Sequence, residues 1–157
     1  METIVVIDSK KRSGTAFANS YIVGLPVPLV GVYSAELLST TFSRFSQDHY
    51  AVLDIDELRN DQVMAVSNIS STVLSPSNIY NTVTADTISR SFGIIPVGDY
   101  TLGSNVVYAP SKFYSIDKTF RNPTNITKFT VKWLDQSGLS PVALANNTVL
   151  LKIKHVK

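Results

Sequence analysis

Apolar and polar residues alternate along most of this chain. In the clearest segment, Thr148 to Val156, the apolar residues Val149, Leu151 and Ile153 alternate with polar ones. A period of two places successive side chains on opposite faces of a β-strand. About eight or nine short strands with turn residues between them are typical of an all-β sandwich or barrel. The predicted strands are Thr3–Ile7, Tyr21–Leu25, Leu29–Phe42, Tyr50–Leu58, Ser91–Val97, Asn105–Tyr108, Lys112–Phe120, Thr127–Leu134 and Thr148–Val156.

The predicted strand Leu29–Phe42 is separated from the strand before it by two prolines. Pro26 and Pro28 lack an N–H group and favour extended geometry in the residues before them, so we expect a break there. Within Leu29–Phe42, alternation places Tyr33, Ala35 and Leu37 on one face.

One stretch lacks a sustained period. Residues 60–90 are rich in Ser, Asn and Thr, with Pro76 as the only strong breaker. A connection of this length inside a compact domain usually carries function or added structure. We predict an N-terminal arm and extended segment at 1–28, and one β domain at 29–157 into which 60–90 is inserted as a loop.

Composition narrows the possible classes of protein. The chain of 157 residues has no cysteine, 17% charged residues and a formal net charge of +2. The missing cysteines exclude disulfides, thiolate metal sites and cysteine nucleophiles. The small net charge argues against a specific nucleic-acid partner, and no apolar run is long enough for a membrane span. With no recognisable secretory signal, we expect synthesis in a reducing cytoplasm.

Few residues suggest catalysis. The two histidines, His49 and His155, lie at predicted strand ends, and the chain has no G-x-S-x-G motif and no phosphate-binding glycine loop. Asp54 and Asp56 share one strand face, which we interpret as a solvated face or as charges that meet a partner, and Glu57 points the other way. We therefore predict that the protein is not an enzyme and has no catalytic residue, metal site or cofactor.

A short basic run follows the first predicted strand. Lys10, Lys11 and Arg12 are adjacent to Ser and Gly residues and are expected to be exposed. Three charges can make only a few phosphate contacts. A solvated loop and an arm that docks on a neighbouring subunit both remain open, and we take this run as the candidate inter-subunit arm.

The order of several segments resembles that of a known family. A basic run at 8–12 precedes YIVGLP and VYSAEL, a strand YAVLDIDEL follows, and the chain ends with FTVKWLDQSG and LLKI. Together these segments are similar to the small single jelly-roll capsid proteins of large double-stranded DNA viruses, of the penton type. The similarity covers most of the chain except about 60–90.

The resemblance implies a fold and a function. Members of this family are eight-stranded jelly rolls whose pentamers fill the icosahedral vertices between capsomers. The chain would then be a structural virion protein, a vertex capsid subunit made in the host cytoplasm. Its partners would be itself, as a homopentamer, and neighbouring major capsid protein capsomers. The family has no catalytic residues.

Alternative functions stay open from the sequence. A β-sandwich of this kind can bind a glycan or a receptor, although 60–90 contains only one aromatic residue, Tyr80. The chain could also be a minor or cement capsid protein. A metal-dependent cupin needs several histidines inside the barrel, and this chain has two at strand ends.

Overall fold

The computed structural model describes residues 1–14, 17–59, 88, 91–111, 114–141 and 144–156. The loop insertion predicted at 60–90 lies outside the described residues, apart from residue 88. The described chain is all-β, as the sequence predicts, and its strand ladders are antiparallel. The strands are β1 (Glu2–Asp8), β2 (Ser20–Ser43), β3 (Tyr50–Ile55), β4 (Gly93–Pro96), β5 (Asn105–Tyr108), β6 (Asp117–Leu134) and β7 (Thr148–His155). Short 3-10 turns at Ser9–Lys11 and Asp56–Leu58 follow β1 and β3.

The strands form a curled sheet in the order β1-β7-β2-β6-β3-β4, and β5 pairs with the end of β2. The two longest strands, β2 and β6, lie at the centre of this order. Chain neighbours are therefore seldom sheet neighbours. β1 pairs with β7, 140 or more residues away in the chain, and so the first and last strands close one side of the sheet together.

β2 is a single strand of 24 residues, so the prediction of two shorter strands separated by prolines is wrong. The ladder with β6 is nevertheless interrupted at the prolines. Gly24 is opposite Lys128 and Leu29 is opposite Ile126. Between these two pairs, β2 has four residues and β6 has only one. Pro26 and Pro28 lie in this interruption, where no ladder N–H group is required of them.

β6 likewise joins two predicted strands into one of 18 residues. The start of the earlier prediction, Lys112 and Phe113, lies outside the described residues. Pro123 is exposed in the middle of β6, between the pairs Ser34 with Thr119 and Val32 with Thr124, where the register with β2 shifts. Both long strands thus continue through shifts in register, at prolines that normally indicate the end of a strand.

The prediction that Tyr33, Ala35 and Leu37 share one face of β2 is correct for Ala35 and Leu37 but not for Tyr33. Ala35 and Leu37 are fully buried, but Tyr33 is 40% exposed and its neighbour Val32 is buried instead. The registers of β2 with both β6 and β7 shift between Val32 and Ser34. A bulge adds one residue to one strand, so it reverses the alternation on one side of it.

The buried side chains form one principal core. Trp133 packs against Phe42, with ring centroids 4.3 Å apart and an interplanar angle of 33°. Alternation predicted much of this core correctly, since Val149, Leu151 and Ile153 of β7 are all fully buried. The same cluster includes residues of β1 and of β3. A shared core of this kind is the main favourable contribution to folding.

Candidate interaction surfaces

The basic run forms a compact turn directly after β1. Lys10 and Lys11 are exposed and belong to the 3-10 turn, which Asp8 caps by accepting a hydrogen bond from the Lys10 backbone N–H at 2.9 Å. Arg12 is half-buried, and its guanidinium donates to the Ser9 carbonyl at 2.6 Å and to Asn146 Oδ1 at 3.3 Å. The turn is thereby fixed to the segment before β7. A contact of Lys10, Lys11 or Arg12 with another subunit stays a prediction.

A buried asparagine holds this region to the core. Asn147 Oδ1 accepts hydrogen bonds from the Tyr21 hydroxyl at 2.7 Å and from Trp133 Nε1 at 3.1 Å. Its Nδ2 donates to the Ala18 carbonyl at 2.8 Å, and its backbone N–H donates to Ser9 Oγ at 2.8 Å. The Asn147 side chain therefore satisfies two aromatic donors and fixes the Ala18 segment, and its backbone N–H fixes the turn at Ser9, which makes Asn147 a central polar contact of the interior.

An arginine organises two loops at one end of the sheet. The Arg44 guanidinium donates to the backbone carbonyls of Ser46 at 2.9 Å, Gln47 at 3.1 Å and Asp48 at 2.9 Å within its own loop. It also donates to the carbonyl of Tyr100 in the loop between β4 and β5. Since a guanidinium presents several donors in a fixed plane, Arg44 holds loop 44–49 against loop 97–104.

Two further contacts extend this connected set of loops. The Asp48 carboxylate accepts a hydrogen bond from the Gln136 backbone N–H at 3.0 Å, which joins the β6–β7 loop. Asn19 Nδ2 donates to the carbonyl of Pro141, which joins the loop before β2. We call the described residues of these four connected loops (12–14 with 17–19, 44–49, 97–104 and 135–141) the loop face.

The loop face presents isolated apolar side chains to solvent. Phe17, Leu102 and Leu139 lie on three different loops, and each is more than half exposed. Single exposed apolar residues are common, but here the loops that carry them are hydrogen-bonded to one another. The arrangement is suited to contact with another protein, because exposed apolar groups on a fixed backbone lose little conformational freedom on binding.

The interpretation of Asp54 and Asp56 as a solvated strand face is wrong for Asp54. Asp54 is buried and forms an ion pair with Arg59, in which Arg59 Nη2 donates a hydrogen bond to Asp54 Oδ2 at 3.1 Å. This hydrogen bond raises the pKa of the Arg59 guanidinium above its ordinary value. Asp56 pairs with Arg59 and with Lys132, whose Nζ lies 3.0 Å from Oδ1. The cluster is thus accounted for by ion pairs that fix the end of β3 to β6.

Glu57 also links the end of β3 to β6. Its carboxylate accepts hydrogen bonds from the Thr130 backbone N–H at 2.7 Å and from Thr130 Oγ1 at 2.9 Å. These contacts attach the turn after β3 to the middle of β6. Within the described ranges, no group of three or more His, Cys, Asp or Glu side chains is arranged to hold a metal ion.

The two histidines make their contacts in different parts of the fold. His155 ends β7, where Nε2 lies 2.9 Å from Thr3 Oγ1 and Nδ1 lies 2.8 Å from the Val156 carbonyl. These contacts join the ends of β1 and β7. His49 ends loop 44–49, and its carbonyl accepts a hydrogen bond from the Val97 N–H at 2.8 Å. The structure therefore does not bring the two candidate bases together.

A groove of about 460 Å³ runs between β1 and the first part of β2. Its borders are consecutive residues of each strand, together with Phe129 and His155 (Thr3–Ile7 on β1 and Val23–Leu29 on β2). The strand prediction Thr3–Ile7 did not identify this groove. The available signal was that its last four residues, Ile-Val-Val-Ile, are continuously apolar rather than alternating.

Comparison with known proteins identifies no relative. No family model matches the chain, and no curated protein matches it either. Among the helices of the described residues, none has the length and apolar character needed to cross a membrane.

Proposed function

We propose that this chain is a structural virion protein, a penton-type capsid subunit that forms a homopentamer at icosahedral vertices. The fold in this proposal is a single eight-stranded jelly roll of two packed sheets. The observation that carries the proposal is the pairing order of the strands, taken together with the family resemblance of the sequence.

The pairing order divides the strands into two groups of four. The second part of β2, Val32–Ser43, pairs with β7 on one side and with β5 and the start of β6 on the other, and β7 pairs with β1. The first part of β2, Ser20–Leu29, pairs with the end of β6, which pairs with β3 and then β4. Counting β2 alone as two strands gives eight, in the groups β1, β7, second part of β2 and β5, and first part of β2, β6, β3 and β4; this number supports a jelly roll.

The positions where the long strands divide favour this interpretation. The register between β2 and β6 shifts between Gly24 and Leu29, and again near Val32. Bulges bend strands and increase their twist, and strands that pass from one sheet to another do so at bulges or bends. A core formed by side chains of both groups, such as Ile153 of β7 and Leu53 of β3, agrees with two sheets packed face to face.

The surface agrees with a subunit of an assembly. Only 17% of residues are charged, and the loop face carries exposed apolar side chains on connected loops. The centres of protein interfaces are depleted in charged residues. In a cyclic pentamer one heterologous interface is repeated until the ring closes, and a stable contact of this kind buries more than about 1,000 Å².

Native mass spectrometry of the purified full-length chain tests the proposal. We expect a species of five times the 17.2 kDa chain mass, present across a dilution series. Electron microscopy of the same sample should give five-fold class averages. A monomer at high protein concentration, or a ring of another number, would overturn the homopentamer.

A further inference from the structure

The outer edge of β1 is open along its whole length in the part of the chain that the structure describes. β1 pairs with β7 alone. Met1 and His155 exchange backbone hydrogen bonds of 2.7 Å and 3.0 Å, and Ser9 donates to Asn147 at 3.0 Å in the same register. In an antiparallel ladder such bonded pairs alternate along the strand. The backbone N–H and C=O groups of Ile4 and Val6 therefore point away from β7, toward the open edge.

The side chains along this edge are apolar on both faces of the strand. Val5 and Ile7 are buried in the core, while Ile4 is 54% and Val6 is 60% exposed. Natural proteins usually protect an open edge with a charged side chain, a proline or a bulge. Between Glu2 and Asp8 the edge of β1 has none of these.

The groove beside this edge has the dimensions and polarity of a site for a short extended peptide. Five consecutive residues of β1 border it, which corresponds to about 17 Å of strand. The second wall is the stretch of β2 that contains Pro26 and Pro28, and the residues that line the groove include no Lys, Arg, Asp or Glu. At the ends of β1, Glu2 pairs with Lys154 and Asp8 caps the basic turn, and Lys152, opposite Ile4 on β7, is paired with Glu36.

We propose that the β1 edge binds an extended, uncharged peptide segment of a partner polypeptide by β-strand addition. Main-chain hydrogen bonds to Ile4 and Val6 would supply affinity, and the apolar groove would select residues such as Val, Ile and Thr. A groove of about 460 Å³ holds a segment of a few residues rather than the face of a folded domain. The proposed peptide site does not depend on the homopentamer, and the two proposals are tested by different measurements.

A peptide-binding experiment on the full-length protein tests this site. The probe is a fluorescein-labelled peptide, SVTVTVS, and the charged peptide SKTKTKS is its control. Fluorescence anisotropy gives the dissociation constant, and amide hydrogen exchange gives the protection of Ile4 and Val6. We expect SVTVTVS to bind, to slow exchange at both amides, and to bind at least about tenfold more tightly than SKTKTKS, because the groove carries no charge.

Two variants remove different parts of the site. Val6→Pro deletes an edge N–H group that the β7 ladder does not use, and Val27→Lys places a charge on the opposite wall. Each should weaken binding of SVTVTVS by about tenfold or more. Val30→Lys is the matched control, because Val30 is a similarly exposed valine of β2 that does not line the groove, and it should change binding by less than about twofold.

Three results would overturn the proposal. The first is no binding at millimolar peptide. The second is binding that neither Val6→Pro nor Val27→Lys weakens. The third is slow exchange of the Ile4 and Val6 amides without peptide that depends on protein concentration, since a second copy of the chain would then occupy the edge. None of these results bears on the pentamer mass.

Discussion

The Asn147 side chain connects three separate parts of the interior, at Tyr21, Trp133 and Ala18. Replacing it with alanine would leave the Tyr21 hydroxyl and Trp133 Nε1 buried without their acceptor. We expect Asn147→Ala to lower the free energy of unfolding by about 3 kcal/mol, since each orphaned buried donor costs about 1–3 kcal/mol. Urea denaturation followed by tryptophan fluorescence measures this change directly.

The neighbouring Asn146 supplies the control. It is exposed, and its Oδ1 accepts long hydrogen bonds from Ser9 Oγ at 3.4 Å and from Arg12 at 3.3 Å. Asn146→Ala should change stability by less than about 0.5 kcal/mol. Equal losses in the two variants would contradict the central role of Asn147.

Two buried tyrosines should make stability depend on alkaline pH. Burial raises the pKa of Tyr108 to about 12, and burial with the nearby Asp8 raises the pKa of Tyr21 further above its ordinary value. Unfolded tyrosines ionise near pH 10, so the folded state holds these protons more tightly. Stability should therefore be complete below about pH 10 and fall as the pH rises toward 12.

Urea midpoints measured from pH 7 to 11.5, with phenolate absorbance recorded in parallel, check this expectation. Tyr108→Phe should flatten the alkaline decline, although it also loses the hydrogen bond to the Tyr114 carbonyl at 2.5 Å. Tyr33→Phe is the control, since Tyr33 is partly exposed on the surface. A midpoint that stays constant through pH 11 would show that burial does not perturb these phenols.

Gly93 illustrates how closely β4 approaches its neighbour. A Cβ atom at this position would lie 2.6 Å from Ile116 Cγ2 and 2.7 Å from Cδ1, and Ile116 is itself buried. We expect Gly93→Ala to destabilise the fold by about 1–3 kcal/mol through overpacking. Gly24→Ala is the matched control, because a Cβ atom there meets nothing within 4 Å. In thermal unfolding, the midpoint temperature of Gly93→Ala should be clearly lower than that of Gly24→Ala.

At the scale of elements, the hydrogen bonds of Arg44 should hold loop 44–49 against loop 97–104. Lysine keeps the charge but cannot donate to four carbonyls in one plane. We expect Arg44→Lys to cost about 2 kcal/mol and to speed amide exchange in loops 44–49 and 97–104. Hydrogen exchange with mass spectrometry measures both. Arg121→Lys, at an exposed position of β6, should leave exchange in these loops unchanged.

The strands that the sequence predicts best are those with one buried face. β7 and the end of β6 alternate as expected, because a slip of one residue would expose Ile153 or Trp133. The long strand β2 was divided in the prediction because Pro26 and Pro28 are normally strand breakers. Only the three-dimensional register reveals that they lie in an unpaired interruption, and that a bulge exchanges Tyr33 for Val32.

The candidate surfaces were harder to predict than the strands. Asp54 has the local pattern of a solvent-facing residue, and its burial depends on an arginine five residues later that folds back onto it. Asn147 lies in a polar segment whose composition is typical of a loop, so its contacts with Tyr21 and Trp133 have no sequence signal. The open edge of β1 can be recognised only when the order of the strands in the sheet is known, because an edge is open when no other strand pairs with it.

At the scale of the whole molecule, the loop face is the surface through which we expect copies to meet. Leu102 and Leu139 are exposed on separate connected loops. If the pentamer forms through this face, the double variant Leu102→Asp, Leu139→Asp should shift the native mass from five chains to one, because each interface would bury uncompensated charge. The urea midpoint of the monomer should change little, since both residues lie outside the core.

Val30→Asp controls for added charge on an exposed valine away from the loop face. It should leave the native mass at five chains. A pentamer that persists in the double variant would exclude the loop face as the principal contact, without bearing on the strand order.

The length of β2 has a mechanical consequence. The single 24-residue strand β2 pairs with β7 over its second part and with β6 over both parts, so β2 and β6 run side by side through the junction between the strand groups. A force that separates the two strand groups must therefore shear the β2–β6 ladder, in which both strands run through the junction. Stretching at the chain termini should instead peel β1 from β7 at low force, because Met1 and His155 are a bonded pair at the same end of that ladder. Only handles placed one in each group, on β7 and on β3, should show a high rupture force.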